Sequence, residues 1–278
     1  MKSIQLPSDI ISDNTENIIL YDYHTSKEIL KQQVILDQNT FSFLVEGTKE
    51  VIFDNSCKTI DQSQFILMKA GHCLMTEKLS TVHNYRSILL FFSNDRMIEF
   101  INKYNISLNH HSKPSSVYTF VYDDFTSRFI ESLSEINRLP LATKSKLLNL
   151  KLEEIMLYLL ELYGSDFLLS FIPNNNTQVQ KFTQTIESNI LNKLTLNELA
   201  FLCNMSLSTF KREFEKQYAE SPSKWFQNKR LEYAHTLLTH KNKTVTEIYL
   251  EIGYESTSSF IQAYKSKYGI TPKQHTKQ

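Results

Sequence analysis

The sequence predicts an α+β protein with a strand-rich N-terminal part and an all-α C-terminal part. Between residues 17 and 92, short apolar runs alternate with polar turn segments, a pattern typical of an antiparallel β-barrel or sandwich. From residue 93 onward, apolar residues recur at helical spacing instead. The Asn-rich segment 173–177 opens with proline and is predicted as a linker. The expected boundaries are 1–172 for the first domain, 173–178 for the linker and 179–278 for the second domain.

The composition excludes several classes of protein. Among 278 residues there are five glycines, and neither glycine-rich phosphate-binding motif occurs. The cysteines Cys57, Cys73 and Cys203 are odd in number and form no C-x-x-C pair, which favours a reducing compartment over a disulfide framework. The first fourteen residues lack the apolar core of a signal peptide, and the apolar run 88–92 is too short to span a membrane. We therefore expect a cytoplasmic protein without a membrane partner.

The neutral net charge conceals an asymmetry between the two parts. From residue 174 to the end there are 14 Lys and Arg against 9 Asp and Glu, a net of +5. The preceding residues hold 16 against 21, a net of −5. A basic C-terminal third beside an acidic remainder indicates a polyanionic partner for that third.

Six strands and three helices are predicted in the N-terminal part. The strands are apolar or β-branched runs at 18–21, 33–36, 41–45, 51–53, 65–68 and 88–92. The helices cover 94–104 after a cap at Ser93, 124–139 before Pro140, and 144–163 before Gly164.

The helix 144–163 carries a heptad seam that leaves two interpretations open. The seam is Leu148, Leu152, Ile155, Leu159 and Leu162, and a second apolar stripe is Leu147, Leu150, Met156 and Leu160. One stripe is enough to pack the helix on the barrel, so the second stripe would leave apolar surface exposed to water unless another surface buries it. We therefore predict a homodimer through this helix. The alternative is internal packing on the barrel and on the helix 124–139.

The N-terminal part offers no catalytic or metal-binding motif. Its aromatic residues, such as Phe41, Phe43 and Phe53, are interpreted as core in preference to a ligand cage. His72 and Cys73 lack the further convergent ligands that a metal site needs, and no G-x-S-x-G nucleophile motif is present. We expect no metal, no cofactor and no enzymatic activity.

The last hundred residues contain a diverged internal repeat. Phe210, Phe214, Tyr218, Ser221 and Pro222 recur 50 residues later as Phe260, Tyr264, Tyr268, Thr271 and Pro272. Glu198, Leu199 and Met205 recur 49 residues later as Glu247, Ile248 and Tyr254. Two copies are too few for a solenoid, so the repeat indicates a duplicated small module.

Each copy is predicted to form a helix, a tight turn and a second helix. Ser206 and Ser256 are natural N-caps for the second helices, and Gly253 suits the positive φ of a tight turn. Phe210 and Phe214 share one face of the second helix in the first copy. The opposite faces carry Ser208, Lys211, Arg212 and Glu215 in the first copy and Thr257, Ser258, Ile261 and Gln262 in the second.

A connecting helix is predicted from Pro222, a favoured first helical residue, to about residue 238. At about 1.5 Å per residue it would be roughly 25 Å long. Such a strut could hold the two second helices about one DNA turn, roughly 34 Å, apart.

A set of short motifs runs through the last 80 or so residues. They are Glu198-Leu199-Ala200, Met205-Ser206-x-x-x-Phe210, Arg230-Leu231, Glu247-Ile248, Glu251-Ile252-Gly253-Tyr254-Glu255-Ser256, Phe260-x-x-x-Tyr264-Lys265 and Lys267-Tyr268-Gly269-Ile270-Thr271-Pro272. In this combination, 194–276 resembles the DNA-binding domain of the AraC/XylS family of bacterial regulators. Two positions depart from the family pattern, since Tyr249 stands where Ala is usual and His275 where an aromatic residue followed by Arg is common. The first 170 residues are similar in outline to the family's sensing half, a cupin-like barrel followed by helices.

The resemblance implies a sequence-specific DNA-binding transcription regulator, expected to be an activator, that senses an effector through its N-terminal domain. It assigns DNA base contacts to Ser208, Lys211, Arg212, Thr257, Ser258 and Gln262. It assigns contacts with the DNA backbone to Arg230, Lys265 and Lys267, which position the protein without specifying sequence. The implied partners are double-stranded DNA, RNA polymerase and an effector of unknown identity. The effector is a small molecule or, alternatively, a protein. A third hypothesis is a cupin enzyme fused to a DNA-binding domain, which the missing metal ligands disfavour.

Overall fold

The computed structural model describes residues 3–11, 17–107, 114–171, 178–240 and 243–275. The chain divides into two compact units, Met1–Thr177 and Gln178–Gln278. The segment 173–177 of the predicted linker lies outside the described residues. In the described ranges, no helix has both the length and the apolar character needed to cross a membrane.

Within the described residues, the first unit contains ten strands arranged in two five-stranded sheets. The strands are β1 Ile4–Leu6, β2 Ile18–Thr25, β3 Ile29–Leu36, β4 Asn39–Glu46, β5 Thr48–Ile52, β6 Cys57–Ile60, β7 Gln64–Met68, β8 Gly71–Lys78, β9 Tyr85–Phe92 and β10 Val117–Val121. One sheet has the order β1-β3-β8-β5-β6 and the other β10-β7-β4-β9-β2. All neighbouring strands are antiparallel except β1 and β3. The predicted α+β class, with antiparallel sheets first and helices second, is confirmed.

The helices of both units are short to medium in length. Those of the first unit are α1 Asn94–Lys103, α2 Asp124–Ile136 and α3 Leu141–Tyr163, followed by a 3-10 helix over Asp166–Phe171. Those of the second unit are α4 Gln178–Ser188, α5 Leu196–Leu202, α6 Leu207–Tyr218, α7 Pro222–His240, α8 Val245–Glu251, α9 Thr257–Tyr268 and α10 Pro272–His275.

The sheet that contains β4, β7 and β9 is buried on both faces. Phe65 and Leu67 of β7 belong to a core shared with the helices of the first unit. Ile66 and Met68 of the same strand belong to a second core, shared with the facing sheet. The first unit therefore has three layers. The runs 65–68 in β7 and 88–92 in β9 are continuously apolar because neither face of the sheet meets water there.

A charged pair is buried between the two sheets. The Nζ of Lys49 lies 3.2 Å from the Oε1 of Glu77, and their side chains are 3% and 7% exposed. Lys49 also donates to the Oγ of Ser42 at 3.2 Å. The pair borders a cavity of about 100 Å³ whose other lining residues are mostly apolar, including Leu36 and Phe91. Phe41, Phe43 and Phe53 do not line this cavity and are at most 2% exposed in the cores.

The heptad seam of α3 is internal core, which corrects the prediction that it forms a dimer contact. Leu148, Leu152, Ile155 and Leu159 are at most 6% exposed and pack with the sheet and the other helices of the first unit. Leu162 of the seam is 53% exposed, and Leu150 of the second stripe is 62% exposed. The chain's own sheet and helices already cover four of the five seam residues.

Burial of the seam can be measured by truncating one leucine at a time. The Leu148→Ala variant should lower the free energy of unfolding by about 2–5 kcal/mol, because it leaves a cavity in the core. The Leu150→Ala variant, on the exposed face of the same helix, should change it by no more than about 0.5 kcal/mol. Urea denaturation of the full chain, followed by circular dichroism, measures both. Equal losses in the two variants would contradict this placement of α3.

Candidate nucleic-acid interface

Both copies of the repeat begin their first helix with the same capping box. The Oγ1 of Thr195 accepts the N–H of Glu198 at 3.2 Å, and the Glu198 carboxylate accepts the N–H of Thr195 at 2.7 Å. Thr244 and Glu247 make the same reciprocal pair at 3.3 and 2.8 Å. Each box satisfies N–H groups that the first turn of a helix leaves unpaired. The start of α5 and the start of α8 are therefore fixed by local sequence.

The turns between the two helices of each copy are also equivalent. Asn204 has a φ of 54° and Gly253 a φ of 85°, and these are residue types that enter the left-handed region at low cost. In both copies the next residue donates its N–H to the carbonyl five residues earlier, at 2.9 Å. Ser206 and Ser256 then accept the first unpaired N–H groups of α6 and α9. Each turn thus sets the direction of the second helix relative to the first.

The inner face of each second helix is held by a pair of aromatic side chains. Phe210 and Phe214 of α6, and Phe260 and Tyr264 of α9, are 0% exposed. The ring of Phe214 contacts those of Trp225 and Phe226 on α7 at centroid distances of 5.6 and 5.9 Å.

Farther along α7, apolar side chains form the core of the second copy with α8 and α9. These are Leu231, Ala234, Leu237 and Leu238. With 19 residues, α7 is about 28 Å long at about 1.5 Å per residue. Because it packs on both copies, α7 fixes the spacing between α6 and α9.

The outer faces carry the side chains that the sequence assigned to base contacts. Ser208, Lys211 and Arg212 of α6 are exposed, as are Ser258 and Gln262 of α9, and Thr257 is half-buried. In the part of the chain that the structure describes, neither Lys211 nor Arg212 makes a salt bridge or hydrogen bond. These two cations are therefore available to an external anion or base edge.

The three cations assigned to the DNA backbone differ in availability. Lys265 is exposed. Arg230 is half-buried and donates its Nε–H to the carbonyl of Ile190 at 3.0 Å, and burial lowers the pKa of its guanidinium. Lys267 donates to the carbonyl of Asn228 at 2.8 Å and lies 3.0 Å from a carboxylate oxygen of Glu232. A phosphate group would have to compete with these internal partners at Arg230 and Lys267, but not at Lys265.

A polar network lies behind α9, and no sequence pattern revealed it. The hydroxyl of Tyr264 lies 3.0 Å from the Nδ1 of His235 and 3.1 Å from the Nδ1 of His275. A phenol has one proton to donate, so one imidazole accepts it and the other donates to the hydroxyl oxygen. Burial raises the pKa of Tyr264 to about 12. The departure of His275 from the family pattern thus has a structural role, because this residue connects α10 to α9.

The described residues give no sign of a metal site. Over 3–11, 17–107, 114–171, 178–240 and 243–275, no group of three or more His, Cys, Asp or Glu side chains could hold a metal ion. All three cysteines lie within these ranges, and none forms a disulfide.

Comparisons with known proteins match both units. Residues 39–171 match the ExsA N-terminal regulatory domain, and residues 199–278 match a helix-turn-helix domain. The virulence regulon transcriptional activator VirF of Yersinia enterocolitica is 26% identical over 247 residues, which are 85% of this chain and 88% of VirF. The HTH-type transcriptional regulator ExsA of Pseudomonas aeruginosa is 32% identical over 124 residues, 44% of this chain and 45% of ExsA.

A solved structure also aligns along most of the chain. An apo variant of ToxT from Vibrio cholerae is 13% identical, with a TM-score of 0.45, over 95% of this chain and 98% of that one.

Removing one oxygen atom tests the network behind α9. The Tyr264→Phe variant keeps the buried ring but leaves the two imidazoles without their shared partner, which should cost about 1–3 kcal/mol of stability. The Tyr268→Phe variant is a matched control, because the only hydrogen bond of its hydroxyl within the described ranges is a long one, 3.4 Å from the carbonyl of Leu231. Thermal unfolding of both variants gives the comparison. A Tyr264→Phe protein as stable as the control would show that the network contributes nothing.

Proposed function

The chain belongs to the AraC/XylS family of transcription regulators, and we propose that it activates transcription by binding a specific DNA site through the outer faces of α6 and α9. The observation that carries the proposal is the pair of exposed cations Lys211 and Arg212 on α6, which form no salt bridge or hydrogen bond with any residue that the structure describes. The opposite face of α6 is fixed in the core. The activating role is supported by relatives that are named transcriptional activators. RNA polymerase is then the protein partner, and the site of action is the cytoplasm, where the DNA lies. The proposal assigns the chain no enzymatic reaction.

Base contacts and phosphate contacts are divided between different side chains. We assign base contacts to Ser208, Lys211 and Arg212 in the first copy and to Thr257, Ser258 and Gln262 in the second. We assign phosphate contacts to Lys265, which is exposed, and to Arg230 and Lys267. The last two must first break their hydrogen bonds within the chain. Base contacts specify sequence, whereas phosphate contacts set register and add affinity at every site.

We propose that the first unit senses the effector. The match to a regulatory domain supports this role. The cavity beside Lys49 and Glu77 offers a small molecule an apolar enclosure with a polar end. A protein effector is the alternative, and it would dock on the outside of this unit.

A homodimer remains our proposal, with a contact face different from the buried seam. Leu150 and Leu157 lie seven residues apart on the outward side of α3 and are 62% and 38% exposed. Residues seven apart share one face of a helix, so a second copy of the chain could cover both leucines at once.

The division of labour on DNA is testable once a site has been selected from random-sequence DNA with the full chain. The Arg212→Ala variant should lose about 1–3 kcal/mol of binding and relax discrimination at one base pair. The Lys265→Ala variant should weaken all sites alike and reduce the salt slope by about one. Fluorescence anisotropy at several salt concentrations measures both effects.

The matched control for this experiment is Gln217→Ala, on the same helix as Arg212. Gln217 lies five residues after Arg212, about 140° around the helix. Its exposed amide donates to a carboxylate oxygen of Glu213 at 3.0 Å, so its loss should change binding little. An Arg212→Ala protein with unchanged affinity and unchanged preferred sequence would refute the base contact.

The dimer face can be tested in the full chain by sedimentation velocity. The Leu150→Asp/Leu157→Asp variant should be monomeric at concentrations at which the wild type associates, because it places charge in an apolar contact. Replacing the nearby exposed Leu162 with Asp should leave association unchanged. A wild-type chain that stays monomeric at tens of micromolar, an affinity of about −6 kcal/mol, would end the proposal.

A further inference from the structure

The two copies of the repeat differ in chemistry at positions that their structures make equivalent. Phe210 and Phe260, 50 residues apart, occupy the same inner-face position of α6 and α9 and are both 0% exposed. The two residues that follow each of them are therefore equivalent on the outer faces. In α6 these are Lys211 and Arg212, and in α9 they are Ile261 and Gln262. A pair of cations in the first copy corresponds to a branched alkyl group and an amide in the second.

Ile261 is not placed there by the needs of the core. It is half-exposed, and it does not belong to the apolar cluster that includes Phe260, Tyr264 and the neighbouring Ala263. Thr257, four residues earlier, lies in line with it along the helix. The side chains of Ser258 and Gln262 beside this line are exposed. The outer face of α9 therefore carries an apolar stripe, formed by Ile261 and the methyl group of Thr257, with an amide next to it.

We propose that α9 reads A·T base pairs while α6 reads G·C base pairs. In the major groove, thymine presents a methyl group that apolar side chains contact, and adenine presents the donor and acceptor that a Gln amide matches. Guanine presents two acceptors, which suit Lys and Arg. Ile261 and Thr257 then contact thymine methyl groups, Gln262 pairs with adenine, and Lys211 and Arg212 pair with guanine.

This inference rests on the proposed function and adds the base composition of each half of the site. Phosphate contact does not account for the stripe, because the side chain of Ile261 and the methyl group of Thr257 have no hydrogen-bond donor to offer a phosphate oxygen. A site with one G·C half and one A·T half is directional, so the chain would bind it in a single orientation.

Chemically modified DNA tests the proposal without changing the sequence. A site is first selected from random DNA with the full chain, and each thymine of its A·T half is then replaced in turn by deoxyuridine, which lacks only the methyl group. At about 0.8 kcal/mol per buried methyl group, each contacted position should weaken wild-type binding about fourfold. In the other half, replacing guanine with 7-deazaguanine removes one acceptor and should weaken binding there.

Variants assign each effect to its helix. The Ile261→Ala protein should be insensitive to deoxyuridine at the position that Ile261 contacts, while it stays sensitive to 7-deazaguanine. The Lys211→Ala protein is the reciprocal control, which stays sensitive to deoxyuridine. On a site that keeps the adenine assigned to Gln262, the Gln262→Ala protein should bind about 5- to 150-fold more weakly than wild type. On a site in which that base pair has been replaced, the two proteins should bind equally well.

The outcomes separate this inference from the proposed function on which it rests. The assignment of α9 is overturned if deoxyuridine does not weaken wild-type binding at any position. It is also overturned if deoxyuridine weakens binding of wild type and of Ile261→Ala equally at every position. A selected site without an A·T half overturns it as well. A chain that selects no sequence at all would instead overturn the proposed function.

Discussion

The burial of two aromatic pairs against α7 is the interaction on which the second unit depends. Side chains of α7 pack against the aromatic residues of both copies of the repeat. Phe214 packs on Trp225 and Phe226 near the start of α7, and Phe260 packs with residues farther along it. Truncating one such buried aromatic residue typically costs about 3–5 kcal/mol. Packing against α7 therefore sets the positions of α6 and α9, and with them the positions of the side chains on their outer faces.

Because packing fixes only the inner faces, the outer faces were free to diverge after the duplication. Exposed substitutions away from caps and cores usually change stability by about 0.5 kcal/mol or less. The difference between Lys211 and its counterpart Ile261, or between Arg212 and Gln262, does not affect the packing of Phe210 and Phe260. The capping boxes and turns, which act on the backbone, stayed alike in both copies. One scaffold can thus present two different surfaces without any change of fold.

How far the sequence predicted the structure depends on the range of the interactions involved. The six predicted strands overlap observed ones because their apolar runs reflect burial at each position. Strands β1, β6, β8 and β10 have no predicted counterpart. In β8, the buried carboxylate of Glu77 is paired with Lys49 of another strand, which no local pattern predicts. The helices and turns of the repeat were predicted from local signals. The internal partners of Arg230 and Lys267, and the covering of the α3 seam, come from distant segments that no spacing rule links.

The buried pair of Lys49 and Glu77 also constrains how this chain can evolve. Loss of either partner leaves the other charge buried without its counter-ion, at a cost of about 3–5 kcal/mol. That is a large share of the roughly 5–15 kcal/mol by which a domain is stable. Exchange of both for apolar residues of similar volume is often neutral or stabilising. A chain that loses the ionic pair through single substitutions therefore passes through a less stable protein, whereas simultaneous replacement of both residues avoids that step.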